Sequence, residues 1–154
     1  MNSILKTDFY KVTHMLQYRD NITHFTSYLT PRGSRFQSID KMVVFGIANF
    51  VNEYLFKGFN EEFFNVEWPV VRNEVVEVLE KGLGYPQRLV NNTLVKIGAL
   101  HNLGYLPIEI NGLQKVLSVQ CRCQPLKFVQ QILRLLGLRS LLKVYFLVNF
   151  GIQL

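Results

Sequence analysis

Acidic residues are absent from the last part of this chain. Glu109 is the last of them in 154 residues, whereas basic residues continue as far as Lys143. Up to Glu109 the two kinds of charge are equal in number, so the whole formal charge of +6 arises after it. A positive net charge can indicate nucleic-acid binding, but a charge confined to one end of a chain requires an explanation of its own.

Cysteine is scarce, and long apolar runs are missing. Cys121 and Cys123 stand one residue apart, a spacing that excludes a structural zinc pattern and a disulfide framework. The first residues lack the apolar run of a secretory signal, so we expect a cytoplasmic protein. The uncharged end, 144–154, is too short to span a bilayer, and the basic residues before it do not gather on one helical face. We therefore expect no membrane partner.

Short motifs of common catalytic sites are absent as well. There is no Walker loop, dinucleotide fingerprint or nucleophile elbow. The three histidines, His14, His24 and His101, are scattered, and an isolated histidine is more often structural than catalytic. Arg32 and Arg35 flank a Gly-Ser turn that suits an anion, although surface arginines beside a turn are the commoner case. These features alone identify no activity.

Apolar periodicity is what the chain does have. Hydrophobic residues make up 49% of it, enough to build a core. Three helices are predicted, the first from a cap at Asp40 to Gly58 and the third opening at Pro86. Their apolar positions are Val43, Ile47, Phe50, Val51 and Tyr54, then Val71, Val75, Val78 and Leu79, then Val90, Leu94 and Ile97. With strands predicted at 22–29 and 106–110, the fold class is α/β (α+β) with helices predominating.

The stretch "LKTDFYKVTHMLQY" combines polar, aromatic and titratable groups near the start of the chain. Thr7 or Asp8 suits a helix N-cap, because a side-chain oxygen there accepts a free backbone N–H. Residues at helical spacing would then face a core, while Tyr10 and His14 would share the opposite side, one turn apart. From the residues alone, this is a helix start with a polar outer face.

Four ordered stretches resemble the bacterial nicotinamide phosphoribosyltransferases. They are "ILKTDFYKVTHMLQY", "SYLTPRGSR", "DKMVVFGIANFVNEYLF" and "LHNLGYLPIEI", and they cover about Ser3 to Gly112. The first has the family's form Thr-Asp-x-Tyr-Lys-x-x-His. The related nicotinate enzyme shares a shorter version of it, and remains the alternative. The resemblance implies the incomplete N-terminal domain of a type II phosphoribosyltransferase.

The resemblance also implies roles for two residues. In the family, the tyrosine that matches Tyr10 stacks on the pyridine ring in the neighbouring subunit of a homodimer. The aspartate that matches Asp8 accepts a hydrogen bond from the carboxamide and would repel the carboxylate of nicotinate. Nicotinamide and phosphoribosyl pyrophosphate are the implied substrates, with Mg²⁺ and ATP used by the full-length enzyme. Catalytic residues, metal ligands and cofactor sites of the family lie in a downstream barrel-like domain, so none is predicted within these residues.

After Gly112 the resemblance ends. The stretch "NGLQKVLSVQCRCQPLKFVQQIL" does not match the family, but back-translation one base out of register yields the family's Pro-Glu-Gly-Ser, Val-Pro and Thr-Asp-Pro in order. We therefore expect a frameshift near Asn111–Leu113, a family portion at 1–112, and a tail at 113–154 that was never selected to fit. Such a chain would be inactive alone, and its basic tail would not indicate a nucleic-acid partner. The non-enzyme alternative is a small basic binding protein.

Overall fold

The computed structural model describes residues 2–6, 24–29, 36, 38–112, 117–120 and 126–131. Helical segments fill most of the stretch 47–103, and short strands lie before and after it in the chain. The prediction of an α/β fold in which helices predominate is therefore confirmed for these residues.

The first predicted helix starts later than expected. Residues Lys41–Val44 form a strand, β2, and helix α1 covers Ile47–Phe50. Val43 is exposed and Val44 is buried, which is the alternation of a strand and not the stripe of a helix. Gly46 (φ 72°) makes the left-handed turn between the two elements and accepts the first helical hydrogen bond. The predicted cap at Asp40 was therefore wrong.

Beyond α1 the helical stretch continues with wider turns. Val51–Gly58 and Asn60–Phe64 are π-helical. The inner side of this stretch carries large buried side chains, of which Phe59 and Phe63 are almost fully enclosed. Tyr54, which the helical stripe had placed inside, is 45% exposed. The wider turns change which residues face the core, so a period of 3.6 residues misassigned this position.

The second and third predicted helices are confirmed. Helix α2 covers Trp68–Glu77 and continues as a π-helical segment at Val78–Gly82. Helix α3 covers Gln87–Leu103, with Pro86 as its N-cap and Gly104 in the left-handed conformation after its last turn. The residues that they bury recur at helical spacing, as predicted: Val71, Val75 and Leu79, then Val90, Leu94 and Ile97.

Helices α2 and α3 pack against each other over a small residue. A Cβ placed on Gly98 of α3 would lie 3.0 Å from the Cζ2 atom of Trp68, so only glycine lets the indole pack this closely.

The core that forms between the helical segments joins distant parts of the chain, including two residues from its beginning. Its members are Ile4, Leu5, Phe50, Leu55, Phe59, Phe63, Val71, Val75, Leu79, Val90, Leu94, Ile97 and Leu100.

The strands beside the helices are all antiparallel. Strand β1 covers His24–Leu29, β3 covers Ile108–Gly112, β4 covers Leu117–Gln120 and β5 covers Leu126–Gln131. In the described part of the chain, β5 lies between β1 and β3, and β4 pairs with β2. Both strands predicted from sequence are confirmed, each with its first described residue two positions later than expected.

Two strands fall after the predicted family boundary at 112. The β5 backbone pairs with β1 from His24 opposite Gln131 and with β3 from Ile108 opposite Gln130. An antiparallel ladder is made by backbone N–H and C=O groups, which every non-proline residue supplies. Strand pairing therefore does not reveal whether 113–154 was selected for this fold, and the boundary stays a prediction.

Candidate functional site

The residues just before the motif form a short buried turn. Ser3–Leu5 make one 3₁₀ turn, in which the Asn2 side chain accepts a hydrogen bond from the Ile4 N–H at 3.1 Å. The Leu5 N–H donates to the Asn2 carbonyl at 3.0 Å and the Lys6 N–H donates to the Ser3 carbonyl at 3.3 Å. Asn2 and Ser3 are only 4% and 2% exposed, although both are polar. We call Asn2–Lys6 the N-terminal anchor.

Apolar and polar contacts together hold the N-terminal anchor against the helices. Ile4 and Leu5 belong to the core cluster. The Asn2 N–H donates to a carboxylate oxygen of Glu74 in α2 at 3.3 Å, and the Ser3 hydroxyl donates to Glu62 at 2.6 Å. Most buried polar groups in folded proteins are paired. These hydrogen bonds explain how a polar start to the chain can lie inside.

Glu62 is the centre of this polar network. Its carboxylate accepts from the Ser3 hydroxyl, and its two oxygens lie 2.9 and 2.7 Å from the Lys6 ammonium nitrogen. Partial burial by itself would raise the pKa of Glu62, but the hydrogen bonds from Lys6 and Ser3 and the Lys6 charge outweigh it. The pKa of Glu62 is therefore lowered, and this carboxylate is ionised at neutral pH.

An open cleft of about 550 Å³ lies beside the N-terminal anchor. Its wall includes the Phe50 and Tyr54 rings, stacked with centroids 5.4 Å apart. An ion pair between Lys57 and Glu53, 3.5 Å apart, lies on the same helical stretch. The charged residues of the lining are of both signs. Other lining residues are Lys6, Asn49, Glu61 and Glu62.

The two residues predicted to bind substrate, Asp8 and Tyr10, lie outside the described residues, as do His14, Arg32 and Arg35. The structure therefore neither brings them together nor separates them. What it does describe is Lys6, two positions before Asp8 in the sequence, as part of the N-terminal anchor. The predicted roles of Asp8 and Tyr10 remain predictions.

His101 has a structural environment. Its Nε2 lies 2.8 Å from the Val66 carbonyl oxygen, and since a carbonyl can only accept, this nitrogen carries a proton and donates. The imidazole meets the Phe63 ring edge to face at 5.3 Å and the Trp68 ring at 5.5 Å. The histidine thus joins the end of α3 to the segment before α2, as expected of an isolated histidine.

Comparison with known proteins extends these observations. The family described as "Nicotinamide phosphoribosyltransferase, N-terminal domain" matches residues 2–83, more than half of the chain. The chain belongs to the nicotinamide phosphoribosyltransferase family. The nicotinamide phosphoribosyltransferase of Acinetobacter baylyi (strain ATCC 33305 / BD413 / ADP1) is 33% identical over an alignment of 127 residues, and this alignment covers 79% of the chain. The chain spans 24% of the length of that relative.

The part of the chain that matches the nicotinamide phosphoribosyltransferase family contains both the N-terminal anchor and the motif that follows it. Sequence reasoning predicted the motif but missed Glu62. Glu61 and Glu62 follow Gly58, where the first helix was predicted to end, and the partners of Glu62, Ser3 and Lys6, precede it by 59 and 56 positions. No local pattern connects such distant residues, so only the fold could reveal the contact.

Two further properties concern the described residues alone. Across 2–6, 24–29 and 38–112, and in the short later strands, no group of three or more His, Cys, Asp or Glu could hold a metal ion. In the same part of the chain, none of the helices combines the length and the apolar character needed to cross a membrane.

Proposed function

We propose that residues 1–112 are the N-terminal portion of an enzyme that makes nicotinamide mononucleotide from nicotinamide and phosphoribosyl pyrophosphate. In this reaction the pyridine nitrogen bonds to the anomeric carbon of the ribose. The bond from that carbon to pyrophosphate oxygen breaks, and pyrophosphate leaves with the electron pair. The observation that carries the proposal is the family match at 2–83, which contains the Thr-Asp-x-Tyr-Lys-x-x-His motif.

In this proposal Asp8 and Tyr10 serve the pyridine half of the reaction. A tyrosine ring offers a flat apolar face to the flat pyridine ring, and such aromatic pairs contribute about 0.5–1.5 kcal/mol beyond burial. A carboxylate at Asp8 accepts a hydrogen bond from the carboxamide of nicotinamide. The same carboxylate repels the negative charge of nicotinate, which favours the amide over the acid.

The phosphoribosyl half lies elsewhere in this proposal. The chain covers 24% of the Acinetobacter baylyi relative, and the resemblance assigns the groups for phosphate, Mg²⁺ and ATP to a downstream domain. Mg²⁺ would neutralise the leaving pyrophosphate there. We therefore propose that residues 1–154 by themselves do not complete the reaction, and that the active form is a cytoplasmic homodimer.

The frameshift expected from the sequence, if corrected, would provide the protein for the test. Shifting the reading frame by one base after the Gly112 codon should restore the family's sequence, and we call the product the frame-restored enzyme. In it, Tyr10→Ala should raise the KM for nicotinamide, because ring stacking is lost. Asp8→Asn should lower the ratio of kcat/KM for nicotinamide to that for nicotinate, because the repulsive carboxylate is removed.

Two matched variants control this experiment. Tyr105→Ala removes an exposed tyrosine, and Asp40→Asn neutralises an exposed aspartate, both within the family region. We expect both variants to keep the parent's kinetics. If Tyr10→Ala and Asp8→Asn also matched the parent in rate and in selectivity, the proposed roles would be wrong.

A further inference from the structure

We propose that Glu62 is a positioning residue for Asp8 and Tyr10. This inference rests on the proposed function of those two residues. Glu62 does not need to touch the substrate. It acts through Lys6, whose ammonium group lies against both oxygens of the Glu62 carboxylate at 2.9 and 2.7 Å.

The chain itself limits how far the motif can lie from this contact. A trans peptide chain spans at most about 3.6 Å per residue, so the Asp8 Cα lies within about 7 Å of the Lys6 Cα. By the same limit the Tyr10 Cα lies within about 14 Å of it. These bounds hold for every conformation of the intervening residues. A displacement of Lys6 by a few ångströms is therefore large relative to the tolerance of a binding site.

Glu62 contacts the N-terminal anchor at two residues, Ser3 and Lys6. Ile4 and Leu5 fix the middle of the turn by burial in the core. The Glu62 carboxylate binds the beginning of the turn through the Ser3 hydroxyl and its end through Lys6. Burial of Ile4 and Leu5 therefore holds the middle of the turn, while Glu62 holds both of its ends.

The rate of trypsin cleavage within the motif tests, in the 154-residue chain, whether the Glu62 contacts hold the residues that follow the N-terminal anchor. The Lys11–Val12 bond lies within the motif, and the Lys81–Gly82 bond lies at the end of the π-helical segment after α2. In Glu62→Ala we expect cleavage after Lys11 to become up to about fivefold faster, the upper limit for loss of a half-exposed ion pair. Cleavage after Lys81 should not change, whereas general unfolding would accelerate both.

Two further variants make the trypsin test specific. Glu61→Ala removes an exposed carboxylate from the adjacent position and should leave both cleavage rates at the parent's values. Glu62→Gln keeps an acceptor oxygen without the charge and should give an intermediate rate at Lys11. An unchanged rate at Lys11 in Glu62→Ala, or an equal increase at Lys11 and Lys81, would overturn the proposal.

Kinetics of the frame-restored enzyme connect the anchor to the substrate. Glu62→Ala should raise the KM for nicotinamide by up to about fivefold and leave the KM for phosphoribosyl pyrophosphate unchanged. Faster cleavage after Lys11 without this KM change would show that the anchor does not serve the pyridine site, which also overturns the inference. If Tyr10→Ala and Asp8→Asn both match the parent, the proposed roles of those residues fail, whatever the trypsin result.

Discussion

At the scale of single residues, Glu62 shows how one carboxylate can hold a buried turn. Its side chain is 39% exposed and that of Lys6 is 35% exposed, so solvent screens the ion pair. A pair of this exposure stabilises a fold by about 0.2–1 kcal/mol. Its larger effect is geometric, since the same carboxylate also receives the Ser3 hydroxyl.

The contribution of Glu62 to stability should depend on pH. Its folded-state pKa is lowered from the ordinary 4.5, so the folded state binds this proton more weakly than the unfolded state. The stabilisation is therefore present above pH 4.5 and is lost as the pH falls through the folded-state pKa. We expect Glu62→Gln to lower the free energy of unfolding at pH 7 and to match the parent well below pH 4.5. Urea unfolding at both pH values, with Glu61→Gln as control, measures this; a constant difference would contradict it.

A second residue, Thr93, is predicted to reduce stability. It is fully buried in α3, and its hydroxyl has no hydrogen-bond partner among the described residues. A buried unpaired polar group costs about 1–3 kcal/mol. Thr93→Val replaces the hydroxyl with a methyl of similar size and should raise the melting temperature. Thr93→Ser keeps the hydroxyl but loses the methyl and should lower it. If Thr93→Val lowered the melting temperature as much as Thr93→Ser, the hydroxyl of Thr93 would stabilise the fold and this prediction would be wrong.

At the scale of elements, the helices were predictable where burial follows a simple period. Val71, Val75 and Leu79 recur every four residues, and Pro86 and Gly104 lie beside the ends of α3. The beginning of the first helix was not predictable, because a short strand and a helix share the apolar run at 41–50. The π-helical turns after α1 added a second error, since a fixed period misplaces residues once the turns widen.

The contact between α2 and α3 gives a prediction at this scale. Alanine in place of Gly98 gains about 1 kcal/mol of helix propensity. The new Cβ would lie 3.0 Å from the Trp68 ring, and overpacking of this kind costs about 1–3 kcal/mol. We expect Gly98→Ala to unfold at a lower temperature and to shift the fluorescence of Trp68, the one tryptophan of the chain.

Gly82→Ala is the matched control for this substitution. A Cβ at Gly82 meets no atom within 4 Å, so only the gain in propensity applies. Gly82→Ala should be at least as stable as the parent, with unchanged Trp68 emission. Equal stability and equal emission in the two variants would show that the helices do not approach closely at Gly98.

At the scale of the whole molecule, the motifs predicted the family while the order of strands could not be predicted. Periodicity and the quoted motifs lie in 1–112, and the family match at 2–83 agrees with them. Strand β5 comes from 126–131, yet it lies between β1 and β3. Backbone pairing leaves little trace in the side-chain pattern, so the sequence of 113–154 gave no sign of it.

The tail should therefore contribute to stability without being fitted to the fold. Removing 113–154 deletes the strands that pair with β1, β2 and β3, so residues 1–112 should have a lower melting temperature than 1–154. Since apolar faces stay partly exposed to solvent, we expect the thermal unfolding transitions of both proteins to be broad. A sharp cooperative transition in 1–154 that is lost in 1–112 would show a tail adapted to this fold and would contradict the frameshift.

The central claim is that these residues supply the pyridine half of a nicotinamide phosphoribosyltransferase and not its phosphoribosyl half. Formation of nicotinamide mononucleotide tests it most directly, with nicotinamide, phosphoribosyl pyrophosphate, Mg²⁺ and ATP supplied. Purified residues 1–154 should form no product above a control without enzyme. The frame-restored enzyme should form product, and Tyr10→Ala should reduce the rate at which it does so. Product formed by residues 1–154 in a Tyr10-dependent manner would contradict the account.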